Sequence, residues 1–137
     1  MPPVPTLHTY DYAVVRVVPR VERGEFINAG VIMSCAASQS LQACIELDEV
    51  RLLALDPGAD EAGLRMALAA LPVICAGGSA AGALGKLSVR ERFHWLVAPR
   101  STSIQTSKVH TGRSPDLAVT LAHLMQRLVH TAPPHDR

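Results

Sequence analysis

This 137-residue chain is predicted to be an α+β domain, an antiparallel β-meander with helices packed on one face. Three observations predict it. Extended, β-branched segments fill the first third of the chain, helical periodicity replaces them after residue 60, and no internal repeat or low-complexity tract interrupts the order. Strands followed by helices imply helices that segregate to one side of a sheet.

The first strand is expected over Tyr10–Val18, a run rich in valine that carries one charge at Arg16 and ends at Pro19, which has no ladder donor. Arg20–Glu25 is a charged turn containing Gly24. Phe26–Cys35 is a second extended run, so the two read as a hairpin, and Asn28 beside Ala29-Gly30 marks either a bulge or a buried side-chain hydrogen bond. Leu41–Asp48 alternates apolar and polar residues as a half-buried strand does, which completes a three-strand meander. Next, Leu64, Leu68, Leu71 and Cys75 recur at helical spacing. They predict a helix over Asp60–Ala76 with Asp60 as N-cap, Pro72 kinking it or ending it early, and Gly77-Gly78 as its stop. Ala76–Gly85 holds four glycines and four alanines and is expected to be a loose, mobile loop. Ser88 caps a short helix from Val89 to about His94, Trp95–Ala98 is extended up to Pro99, and an irregular hydroxyl-rich segment follows. Leu117, Leu121, Leu124 and Leu128 mark a closing amphipathic helix, with Pro115 in its first turn behind Ser114. The expected organisation is a flexible segment 1–9, one domain over 10–131 and a frayed tail 132–137.

Composition removes several functional classes. Thirteen Lys and Arg against twelve Asp and Glu give a net charge of +1, so nucleic acid is not the expected partner. No apolar run approaches the roughly 20 residues needed to span a bilayer, and residues 1–9 lack an export signal, which points to a cytoplasmic protein with no membrane contact. Cys35, Cys44 and Cys75 are odd in number and contain no Cys-x-x-Cys pair, so they read as reduced thiols. The six histidines are scattered, without His-Glu-x-x-His, and Gly85-Lys86 is followed by Leu87, which excludes a Walker-type loop; no metal and no cofactor is expected.

Charge is nonetheless uneven along the chain. Glu46–Glu61 carries six acids and one base, whereas Lys86–Arg113 carries Lys86, Arg90, Arg92, Arg100, Lys108 and Arg113 against Glu91 alone. Guanidinium forks among hydroxyls suit an anionic ligand, so Arg92, Arg100, Ser101, Thr102, Gln105 and His110 are the first candidate site. Against this stand two structural explanations: charge runs are usually solvated faces, and Ser/Thr-rich turns satisfy their own backbone. A nucleophile among Ser101, Thr102 and Ser107 with His110 as base is possible on paper, but no strained Gly-x-Ser-x-Gly elbow supports it. Phe93 and Trp95 read as core more than as a stacking platform.

Two long segments, Tyr10–Ile32 (YDYAVVRVVPRVERGEFINAGVI) and Arg90–Gln105 (RERFHWLVAPRSTSIQ) with Val109–Gly112, resemble a small bacterial family catalogued as domain of unknown function 3037. Gly24 departs from the acidic residue expected at its position. The resemblance implies no reaction. It places emphasis on Arg16, Glu22, Arg23 and Asn28 as a second candidate site, and on Arg92, His94, Arg100, Ser101, Thr102, Gln105 and His110. It also implies, by genomic association, a kinase-like partner of the HipA type. The leading expectation is therefore an interaction or regulatory protein whose basic segment engages an anionic group, a phosphorylated ligand or a partner surface. The alternative is a small enzyme acting on a phosphate-bearing or nucleotide substrate, with His110 as acid or base.

Overall fold

Ten residues, His8–Val17, form the strand β1 on which the sheet is built. It pairs antiparallel with β2 (Ile27–Cys35), which pairs antiparallel with β3 (Ser40–Ile45), so the expected meander is present. The other edge of β1 is completed by two short strands, β4 (Ile104–Thr106) against Val15–Val17 and β5 (His110–Ser114) against His8–Tyr12. The computed structural model describes residues 4–130, and the tail expected from residue 132 lies outside them. Helices α1 (Glu49–Leu55), α2 (Glu61–Ala76), α3 (Val89–Leu96) and α4 (Leu117–Leu128) complete the α+β architecture. No single helix among the described residues is long and apolar enough to cross a membrane.

Both faces of the sheet are covered, which revises the expectation of helices on one face only. Val15, Val17, Ile27, Ala29 and Ile32 share a core with Leu64, Leu68 and Ile74 of α2 and Phe93 and Leu96 of α3. Val31 and Met33 share a second core with Leu121 and Met125 of α4, which Tyr10 and Tyr12 flank. Alternation along β1 sends its odd-numbered residues to the α2 side and its even-numbered ones to the α4 side. On β2 that alternation breaks once. The register passes from Val15↔Gly30 to Arg16↔Asn28, so Ala29 is the extra residue of a bulge. Asn28 also donates from Nδ2 to the Leu128 carbonyl at 2.9 Å. Both readings of Asn28 therefore hold, the bulge and the side-chain hydrogen bond.

Several local expectations change. The hydroxyl-rich segment is not irregular: β4 and β5 are two halves of one edge interrupted at Ser107, whose backbone N–H donates to Val14 O at 2.9 Å and whose Oγ accepts from the Val14 N–H at 2.8 Å. The serine side chain thus bridges the gap in the ladder. Trp95 and Leu96 are the last turn of α3, not extended chain, because the Ser88/Glu91 capping box starts a helix with enough apolar residues to run two turns. Helix α2 continues past Pro72 to Ala76 and stops at Gly77 with positive φ. Asp116, not Ser114, caps α4, accepting from the Val119 N–H.

The glycine-rich stretch forms 3-10 turns over Ser79–Lys86, where a loose loop was expected. Its glycines permit close packing. A Cβ on Gly85 would lie 1.8 Å from the Gly78 carbonyl oxygen, and the Gly78 N–H donates to Gly85 O at 3.3 Å. Gly30 shows the same economy in the sheet, where a Cβ would sit 2.5 Å from the Cys44 carbonyl and 2.7 Å from Ile45 Cδ1. Gly30→Ala is expected to cost about 2 kcal/mol in urea denaturation, the usual range for overpacking against backbone. An unchanged midpoint would show that β3 gives way freely there.

Candidate functional site

The acidic stretch 46–61 is consumed by local structure. Asp48 and Asp60 are N-caps, Asp56 accepts from the Gly58 N–H, Glu61 and Glu49 pair with Arg65, and Glu46 pairs with His130. Its charge is the signature of two consecutive helix starts.

The basic stretch does not converge either. Arg90 pairs with Asp11 at 3.0 Å, and Lys86, Lys108 and Arg113 are exposed on different elements. Arg92 is only 8% exposed, and its guanidinium donates to Leu87 O at 2.5 Å and to Cys75 O at 3.3 Å. It ties the last turn of α2 to the segment entering α3, beside Gly77, where a Cβ would lie 3.0 Å from its Cζ. Arg100 folds back over α3. Its Nη1 donates to Leu96 O at 2.9 Å, its Nη2 to Trp95 O, and its Cζ lies 4.3 Å from the centre of the Trp95 ring. A cation at a helix C-terminus also opposes the negative end of the dipole.

Arg100 differs from Arg92 in bordering a cavity. A groove of about 520 Å³ runs between α2 and the turn before β4. Its floor is a small-residue stripe of α2, Gly63, Ala67 and Ala70, continued by Leu71 and Ile74. Trp95, Arg100, Thr102 and Ile104 form the opposite wall. Trp95 is 42% exposed, so it belongs to this wall and not wholly to the core. Thr102 Oγ1 donates to Ile104 O and the Thr102 carbonyl accepts from Gln105 Nε2, both at 2.9 Å, so the turn is held by its own polar groups. Ser101 is exposed.

The sheet separates these residues from the other candidates. Ile104 faces Val17 across the ladder and shares the α2 side, whereas Gln105 faces Arg16, and His110 faces Tyr12. His110 stacks on Tyr12 with ring centres 5.2 Å apart. Arg100 and His110 thus lie on opposite faces and do not meet at one ligand. Ser107, weighed as a nucleophile, is buried, and its hydroxyl donates to Lys108 O. His94 is exposed on α3. In the second candidate site, Glu22 pairs with Arg20 and Arg23 with Glu25 on the exposed turn, while Arg16 and Asn28 lie side by side on the α4 face of the sheet. Among the described residues no group of three His, Cys, Asp or Glu side chains is arranged to hold a metal.

What fold and site define is an α+β protein with a sizeable, largely apolar groove. A family profile described as "Protein of unknown function (DUF3037)" matches residues 12–129, and the chain belongs to that family. No curated protein and no solved structure matches it.

Two predictions follow from the side chains that turned out to be internal. Arg92→Ala is expected to lower stability by about 2 kcal/mol in urea denaturation, since two carbonyls lose a charged donor. Arg92→Lys recovers little, because one ammonium does not span both; full recovery by lysine would contradict the bidentate tie. Among the thiols, Cys44 is exposed, Cys35 is buried, and burial pushes Cys75 up to about 11. Ellman's reagent at pH 8 is therefore expected to titrate Cys44 promptly, and Cys35 and Cys75 only after denaturation.

Proposed function

We propose that this chain is a non-catalytic interaction protein whose groove between α2 and the 99–104 turn receives an apolar segment of a partner, with Arg100 meeting an acidic or phosphorylated group at the rim. The observation that carries this reading is the pairing of an apolar-floored groove of about 520 Å³ with one arginine fixed at its edge. Volumes of this size are typical of ligand and anchor pockets. Stacked on Trp95 and holding two carbonyls, Arg100 keeps further N–H groups and meets a partner's anion with little ordering cost. An aromatic beside an arginine is the usual composition of an interface hot spot. The partner to try first is a HipA-type kinase-like protein, the kind that the resemblance implies.

The test is titration calorimetry of the purified chain against that protein, with Ala67→Trp to fill the groove and Arg100→Ala to remove the charge. Each is expected to weaken binding at least about tenfold, and the Arg100 effect to shrink at high salt. Arg92→Ala is expected to change stability and not affinity. No binding, or binding untouched by Ala67→Trp in a folded variant, would sink the reading.

A further inference from the structure

We propose that Arg16 and Asn28 form a second binding site, for a 2-hydroxy carboxylate, on the α4 face of the sheet. It lies across the sheet from the groove and stands independently of it.

The arginines of the chain differ in what their guanidinium groups do. The exposed ones are solvated or ion-paired, and the other two turned inward, Arg92 and Arg100, each spend both terminal nitrogens on backbone carbonyls, although Arg92 Nε is also buried without a partner. Arg16 is partly buried, and among the described residues its side chain has neither an ion pair nor a hydrogen bond. Its guanidinium lies over the Phe26 ring, with Cζ 4.2 Å from the ring centre. Its Nε is shut away from solvent without a partner. A guanidinium in that position carries a desolvation cost that an anion would offset.

Asn28 is its direct cross-strand neighbour on the same face. The Nδ2 bond to Leu128 O fixes which way the amide points, so Oδ1 is left as an acceptor, and it too is buried without a partner. Cross-strand Cβ atoms lie about 5 Å apart, so one small molecule reaches both. It must bring an acceptor for Arg16 and a donor for Asn28 within one small molecule. A carboxylate with a hydroxyl on the next carbon has that pattern; an ammonium in the donor position would sit beside the guanidinium and be repelled. With the Phe26 ring stacked on the guanidinium, the ligand meets it edge-on, in the planar geometry that carboxylates favour. Gln105, on the other flank of Arg16, is spent on Thr102 O and closes that side. Phe26 is 45% exposed, and the ligand enters as its ring turns aside.

The test follows arginine Nε–H resonances of the full chain by nitrogen-15 NMR. Glycolate and acetate, which differ by the one hydroxyl, are titrated at ionic strength held constant with sodium chloride. The resonance missing in Arg16→Gln, or in Arg16→Lys should the glutamine variant not fold, is expected to move saturably with glycolate. Acetate is expected to bind about fivefold more weakly, the worth of one neutral hydrogen bond. Arg100→Ala is expected to leave the response unchanged, so failure here and failure of the groove are distinguishable. A resonance that stays still, that follows chloride equally, or that answers acetate as strongly as glycolate would overturn the proposal; a bridging water would then be the partner of both groups.

Discussion

Strand β1 is the constraint from which the rest of the structure follows. It is hydrogen-bonded along both edges, to β2 on one side and to β4 and β5 on the other, and both of its faces are packed. A strand so placed reads as a nearly continuous apolar run, which Ala13–Val18 is apart from Arg16. The hairpin to β2 supplies one edge locally. The other must come from residues 104–114, so the sheet is complete only when the last third of the chain returns to the first. Ser107, opposite Val14, lets that returning edge pass from β4 to β5 without leaving the Val14 N–H unsatisfied.

What was legible in the sequence was what repeats. Extended β-branched and apolar runs revealed β1 and β2, period-two alternation revealed β3, and leucines at helical spacing revealed α2 and α4. The Ser88/Glu91 capping box revealed α3, and Asp60 the start of α2. Elements made by tertiary pairing left no periodic trace. IQT and HTGRS are too short and too polar to read as strands, and become strands because β1 offers them donors and acceptors. The glycines of 77–85 were read by their entropy, whereas the fold uses them for contact at Gly78 and Gly85. The distribution of helices over both faces was hidden for a related reason: α4 pairs with residues almost a hundred positions away, and nothing local announces that.

Charge misled for a different physical reason. A count along the chain assumes that side chains of like sign share a surface, but an arginine is long enough to turn back on the backbone that carries it. Arg92 and Arg100 do this at the ends of α2 and α3, where orphan carbonyls and the dipole attract a guanidinium. The six acids of 46–61 serve the opposite ends and the turns between them. Helix-end chemistry therefore accounts for much of both runs, and leaves Arg100, on the rim of the groove, as the residue that joins a structural duty to an exposed one.

The two surfaces meet in one backbone detail. If β2 ran without the bulge at Ala29, strict alternation would put Asn28 on the opposite face from Val31 and Met33, because an odd number of positions separates them. With it, Ile27, Ala29 and Ile32 all reach the α2 side, while Asn28 stands with Val31 and Met33 under the end of α4. The same bulge sets Arg16 against Asn28 and, one position on, Val17 against Ile27 on the core beneath the groove. Pairing every residue of β2 without the bulge would slip Ile27 and Asn28 by one position, exchanging polar for apolar side chains on both faces at once. A single irregularity in the most regular part of the molecule thus keeps Ile27 in the core beneath the groove on one side of the sheet and Asn28 beside Arg16 on the other.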